Sequence, residues 1–177
     1  DNHCDSGAGF CAGTAGARNQ LFEKVIEPLC QGECSRNMNI TLCKPGERTV
    51  QEACTSGLQF SVGAGDLLDL TVFQRSSDVI LGLPNVVIVW SVILHLVRRD
   101  VWRRSGRKRA AGKLHIAIAS GGAHVYALNQ SCCAQLLRRQ HFAGQQPQML
   151  IDVDNDTNLF DLAQNYKKGQ LRVEGYT

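Results

Sequence analysis

An α+β fold is predicted for this 177-residue chain by three observations. "LLDLTVFQR", residues 67–75, alternates Leu68, Leu70 and Val72 with Asp69 and Thr71, the period of a half-buried strand. "RNQLFEKVIEPLC" places Leu21, Phe22, Val25, Ile26 and Leu29 on one helical face. Further strand-like and helix-like stretches follow without an internal repeat, as expected of a mostly continuous sheet covered by helices.

Residues 1–16 are rich in Gly, Ala and Cys and lack periodicity, the pattern of an irregular segment; the domain is expected to span 17–177. After the first helix, "MNITLCK" and "LQFSV" read as strands, and Gly63 to Asp66 as the turn joining the second of them to 67–75 in a hairpin. The run "VVIVWSVILHLV" is β-branched like a buried strand, yet its length and the preceding Pro84 suit a core helix. Beyond it lie "LHIAIA" as a strand, "AHVYALNQSCCAQLLRRQ" with helical spacing, "QMLIDV" as a strand, "TNLFDLAQNY" as a short helix and "GQLRVEGY" as a last strand.

An apolar fraction of 44% and a net charge of +3 are those of an ordinary globular protein and imply no broad nucleic-acid face. The start of the chain has neither the basic nor the apolar region of a signal peptide. Val86 to Val97, interrupted by Ser91 and His95, is too short to span a bilayer. The eight cysteines form no C-x-x-C pair and no disulfide-scaffold spacing. Reduced thiols and a cytoplasmic location are therefore expected, with no metal site. Residues 98–113, "RRDVWRRSGRKRAAGK", carry eight Lys/Arg against the single acid Asp100. Two readings stand: a solvated, flexible hairpin, or an anion- or RNA-contacting arm in which Trp102 supplies a stacking face.

"FQRSSDVILGLP" sets Arg75, Ser76 and Asp78 at a strand end, before a turn at Gly82 and Pro84. Cys54, in "ACTSGLQF", precedes the strand that the hairpin pairs with this one. A guanidinium brought there can hold a phosphate and also lower the pKa of a neighbouring thiol. A buried structural cysteine and a solvated arginine are the alternatives that the residues alone allow.

Five stretches in this order resemble the thymidylate synthase family: residues 19–40 its helix and following arginine strand, "ACTSGLQF" its Pro-Cys-x-x-x-x-Gln-Phe nucleophile motif, "FQRSSDVILGLP" its Gln-Arg-Ser-x-Asp-x-x-Leu-Gly-Leu-Pro signature, "GGAHVY" its His-x-Tyr motif and "LRVEGY" its Ile-Glu-Gly-Tyr close. The resemblance implies a mixed sheet packed with helices around a long buried central helix, and resolves the ambiguous run as that helix. It implies that Cys54 attacks C6 of a pyrimidine nucleoside monophosphate, so that C5 takes a one-carbon unit from 5,10-methylenetetrahydrofolate as methyl or hydroxymethyl. Arg75 and Ser76 would hold the 5′-phosphate, joined by Arg36 across the two-fold axis of a homodimer. His124 and Tyr126 would bind the ribose hydroxyl, and Asp78 and Gly82 would face the folate. The position that reads the base, Asn for uracil or Asp for cytosine, falls on Val86, or on Asn85 after a one-residue slip.

The sequence departs from the pattern in several places. Asn37 replaces the second arginine of a pair, and Thr55 the histidine after the nucleophile. Residues 98–113 look like an insertion, and the family's N-terminal part and C-terminal tail have no counterpart in these residues. A catalytically inactive relative, kept as a binding or structural subunit that contacts RNA or a protein, is the alternative function.

Overall fold

The structure, a computed structural model, describes residues 20–42, 54–139, 148–151 and 171–174. The irregular segment 1–16 and the helix expected over 157–166 lie outside them. Within the span expected to be one domain, the chain divides into two compact units, residues 1–124 and 125–177.

The first unit is built on a four-stranded sheet. Its strands are β1 (Asn39–Thr41), β2 (Thr55–Gly63), β3 (Leu67–Gln74) and β5 (Ala110–Ile118), in that spatial order. The first three pair antiparallel and β5 joins β3 in parallel. The expected hairpin is present: Gly65 and Asp66 both take left-handed backbone (φ 76° and 59°), and Gly63 pairs with Leu67. Asp66 tolerates this conformation because a short polar side chain enters the left-handed region at little cost. A parallel neighbour needs a long crossover, and α2 (Gly82–Ser105) provides it.

The ambiguous run is therefore helical. The expectation that it is too short to cross a bilayer is revised on length, because the helix extends beyond both its ends to 24 residues, long and apolar enough by length and composition. Trp90, Val92, Leu94, Leu96, Val97 and Val101 are buried, and α2 packs on β3, β5 and the first helix, as a core helix does. Burial of α2 is not complete, however. Its first half leaves Val87 (42%), Ile88 (40%) and Val89 (36%) exposed.

The first helix opens with a π-helical stretch, Phe22–Ile26, and continues as α1, Glu27–Gln31. Leu21, Val25, Ile26 and Leu29 are buried as the periodicity requires, but Phe22 is only partly so. Its ring instead receives the Arg104 guanidinium, 5.2 Å from the centroid. The core closes with Met38, Ile40, Leu58, Phe60, Leu68, Leu70 and Val72, so the sheet's helix-facing side is apolar.

The basic stretch 98–113 is not a free hairpin. Residues 98–105 are the last two turns of α2, where Val97 and Val101 prolong the buried stripe. Gly106 ends the helix in left-handed backbone (φ 72°), and residue 110 begins β5. Two of its arginines are held against the first helix. Arg109, 5% exposed, donates to Leu29 O at 3.0 Å and to Asp66 Oδ1 at 2.9 Å. Arg107 Nε donates to Cys30 O at 3.1 Å. Both reach the carbonyl end of α1, where Leu29 O also accepts from Gly32 N at 3.2 Å.

Two short strands, β4 (Ser77–Asp78) and β6 (Ala123–His124), pair in parallel beyond the main sheet. In the second unit, a single 3₁₀ turn (Ala127–Asn129) leads into α3 (Gln130–Arg139), so the helical spacing expected from 123 onward begins only here. The strands β7 (Gln148–Ile151) and β8 (Leu171–Glu174) pair antiparallel, where the sequence placed them.

Candidate active site

The hairpin register brings Cys54 and Arg75 together. Thr55 pairs with Gln74, and one step further the Arg75 N–H donates to Cys54 O at 2.9 Å. Both residues are exposed, at the end of the sheet where β2 begins and β3 finishes. A thiol here is open to a ligand, which a packed structural cysteine is not.

Beneath them sits Gln74. Lying on the parity of Leu70 and Val72, it faces the core and is 3% exposed. Its Nε2 donates to Thr55 Oγ1 at 3.2 Å, tying the residue after Cys54 to the residue before Arg75. Its Oε1 is buried and finds no partner among the described residues. A buried acceptor left this way costs about 1–3 kcal/mol.

The second half of the site comes from the chain returning after α2. Ala119 N donates to Gln74 O at 2.8 Å, and Ser77 N to Gly122 O at 2.9 Å. The Gly122 carbonyl also receives Ser76 Oγ at 3.3 Å and lies 3.0 Å from His124 Nδ1. A carbonyl only accepts, so in this contact Nδ1 is the donor. Ser76 Oγ is itself 3.4 Å from His124 Nδ1. A Cβ on Gly122 would strike Arg75 O and stand 2.9 Å from Ala119 O. Glycine is what lets the two segments meet.

Asp78 pairs with His124 across β4 and β6. Its Oδ1 accepts from Ile80 N at 3.0 Å, starting the turn that delivers Gly82 as the first residue of α2. Cys54, Arg75, Ser76, Asp78 and His124 thus converge from separate stretches.

Other expected site residues lie elsewhere. β1 runs toward the Cys54 end, with Asn39 opposite Gln59 and Thr41 opposite Gly57. Arg36, before β1, therefore leads away from that end, and its carbonyl is held by Gln59 Nε2 at 3.1 Å. Within one chain it is removed from Cys54 by roughly 15 Å of strand. Asn85 Nδ2 donates to Leu81 O at 2.8 Å, serving the first turn of α2, and Val86 is half-buried beside it. Tyr126, 59% exposed, belongs to the second unit.

Sequence reasoning missed Gln74 and Gly122 as site residues. The strand alternation already put Gln74 on the apolar side, and the Gly-Gly pair before His124 was the other available signal. Among the described residues no group of three or more His, Cys, Asp or Glu side chains is placed to hold a metal ion.

The thymidylate synthase family model matches residues 8–177. The chain belongs to the thymidylate synthase family. Thymidylate synthase of Pseudoalteromonas translucida is 33% identical over 164 residues, covering 91% of this chain and 54% of that protein. That of Mesoplasma florum is 25% identical over 157 residues, 88% of this chain and 49% of the relative. The phage T4 thymidylate synthase is 28% identical over 127 residues. Its crystal structure superimposes with a TM-score of 0.72 at 22% identity, over 92% of this chain and 56% of that one, which supports the expected α+β thymidylate synthase fold. The chain spans about half the length of the thymidylate synthases it matches.

Proposed function

We propose that this chain transfers a one-carbon unit to C5 of a pyrimidine nucleoside monophosphate through a covalent adduct of Cys54. The observation that carries this reading is the meeting of an exposed cysteine and an exposed arginine, backbone to backbone, beside the Ser76–Gly122–His124 cluster. The family scaffold supports it.

Addition of the Cys54 thiolate to C6 moves the C5–C6 electron pair toward the C4 carbonyl and leaves C5 nucleophilic. Arg75 and Ser76 hold the 5′-phosphate, a bidentate guanidinium supplying both charge and orientation. His124 Nε2 accepts from a ribose hydroxyl. Arg36, facing away from its own Cys54, reaches the phosphate of a second subunit in a homodimer. Asp78 and Gly82 face the folate. Leu81, 57% exposed three residues after Asp78, offers apolar surface, and the Asp78 carboxylate an acceptor, for a flat pterin. When bound, methylenetetrahydrofolate supplies the carbon as co-substrate.

A second reading, a binding subunit without turnover, is favoured by Val86 at the base-reading position and Asn37 in place of an arginine. Melting temperatures with dUMP, dCMP and UMP test the nucleotide site. A ligand at a hundred times its Kd stabilises by about 2.7 kcal/mol, and no shift with any of them at millimolar concentration would remove the proposal. Cys54→Ser then separates the readings. It is expected to keep the nucleotide-induced shift and lose all turnover, because an alkoxide is not accessible at neutral pH. Wild type that binds nucleotide but never turns over leaves the binding subunit.

A further inference from the structure

β2 departs from regular pairing beside the site. Thr55 pairs with Gln74 and Gly57 with Phe73, so Ser56 is an extra residue, a β-bulge. The Ser56 hydroxyl donates to Phe73 O at 3.2 Å. Leu58 and Phe60 lie in the core, and strict alternation back from them would put Thr55 on the opposite side of the sheet. The bulge turns it instead to the helix-facing side, next to Gln74, whose Nε2 donates to Thr55 Oγ1 at 3.2 Å. Bulges beside active sites re-aim a side chain in this way. Here the re-aimed residue is the one that follows Cys54.

The bond from Gln74 makes Thr55 Oγ1 an acceptor and leaves the hydroxyl proton to be given elsewhere. Among the described residues no acceptor takes it, and Thr55 is only half-buried. The reverse orientation of the amide would satisfy Gln74 Oε1, which is buried without a partner among the described residues, and would consume that proton. An orphan acceptor and an uncommitted donor thus stand side by side, an arrangement that packing alone does not call for.

Cys54 is exposed and stands in a bend ahead of β2, so strand alternation does not hold its thiol away from Thr55. A base joined to Cys54 through C6 carries C4 only two ring bonds away, within reach of the next residue's side chain. We infer that Thr55 is a catalytic residue whose hydroxyl gives a hydrogen bond to the C4 oxygen as charge gathers there. This rests on the transfer reading above. In that step the bond from Cys54 sulfur to C6 forms, the C5–C6 π pair shifts, and the C4 oxygen becomes an enolate; the hydroxyl keeps its own proton. Such a bond is strongest once the oxygen is charged, so it speeds the addition more than it tightens binding. A hydroxyl also accepts, so the N4 amino group of a cytosine meets no clash.

The test uses dUMP in deuterated water with no folate present. Reversible addition lets C5 take a deuteron from solvent and release its original hydrogen as a proton when the thiolate leaves, so the C5–H signal of the nucleotide fades in NMR. Thr55→Val, close in shape but without the hydroxyl, is expected to slow this exchange about 10²-fold, as loss of one such donor does. Thr55→Ala, its smaller counterpart, should do the same. Both should keep most of the dUMP-induced melting shift. Thr55→Ser retains the hydroxyl and should keep most of the rate. Exchange in Thr55→Val at the wild-type rate, still lost in Cys54→Ser, would overturn the inference and leave the transfer reading standing. So would a Thr55→Ser no faster than Thr55→Val, the mark of a packing role, or a loss of dUMP binding as large as the loss of rate. Wild type that binds dUMP but exchanges nothing would remove the transfer reading itself, and this inference with it.

Discussion

On the gapless reading of the family motif, the residue proposed to read the pyrimidine edge is Val86, and a valine makes no hydrogen bond to it. A site that pairs with those groups rejects the wrong base by orders of magnitude, whereas an apolar one separates them weakly. Uracil and cytosine nucleotides are thus expected to bind within about tenfold of each other, about 1.4 kcal/mol. Val86→Asn should tighten uracil nucleotides selectively in titration calorimetry. The Asn85 amide is engaged with Leu81 O, which argues against Asn85 as the reader. Strong wild-type selectivity that Asn85→Ala destroys would reverse this assignment. His95, on the same helix, gives a pH dependence. Burial, and then the charge of Arg98, hold its pKa below the ordinary 6.5. The unfolded chain then takes up the proton more readily than the folded one, so the stabilisation is complete above about pH 6.5 and is lost as pH falls through the folded value. His95→Gln should flatten that part of the acid limb in denaturant titrations at pH 5 to 8.

At the scale of elements, the meeting of the two site-forming segments depends on Gly122. Gly122→Ala drives a methyl group into the Arg75 and Ala119 carbonyls, neither of which can move without disturbing its ladder. A loss of about 1–3 kcal/mol is expected, as for overpacking, with a larger loss of nucleotide binding because Ser76 and His124 share that carbonyl. A variant with wild-type melting temperature and dUMP response would contradict this. The sequence made the hairpin readable because period-two alternation and a Gly-Asp turn are local signals. It also placed Cys54 beside Arg75, since counting back along two paired strands suffices. Periodicity left α2 open between strand and helix, because a run apolar all round has no preferred face; the family motifs settled it. Composition left 98–113 open between two readings, because the same arginines suit solvent, an anion or the C-terminal carbonyls of another helix, and only packing distinguishes Arg103 from Arg109. The role of Gln74 was hidden for a similar reason: strand parity says which way a side chain points, not what it meets there.

For the whole molecule, the direction of β1 carries Arg36 away from its own Cys54, so the proposed phosphate site, with Arg36 as a member, calls for two subunits. Cys54→Ala and Arg36→Ala, each inactive alone, are expected to recover up to about a quarter of wild-type activity when equal amounts are mixed and allowed to exchange. Half the subunits then sit in hybrid dimers, each with one intact site, the statistics of a two-fold assembly. Failure to recover, or a monomer in sedimentation, would exclude the shared site. The parallel ladder between β3 and β5 has another consequence, for how this chain can vary in length. Its register is anchored from Leu67 opposite Ala110 to Gln74 opposite Ile118, and the loop after α2 enters at the Leu67 end. Residues gained or lost there are absorbed before the strand begins, and the return at Ala119 to His124 keeps its place. Growth at residues 119–122 has no such slack. There a single inserted residue would shift His124 out of line with Ser76, so the chain is free to lengthen at one end of the sheet and fixed at the other.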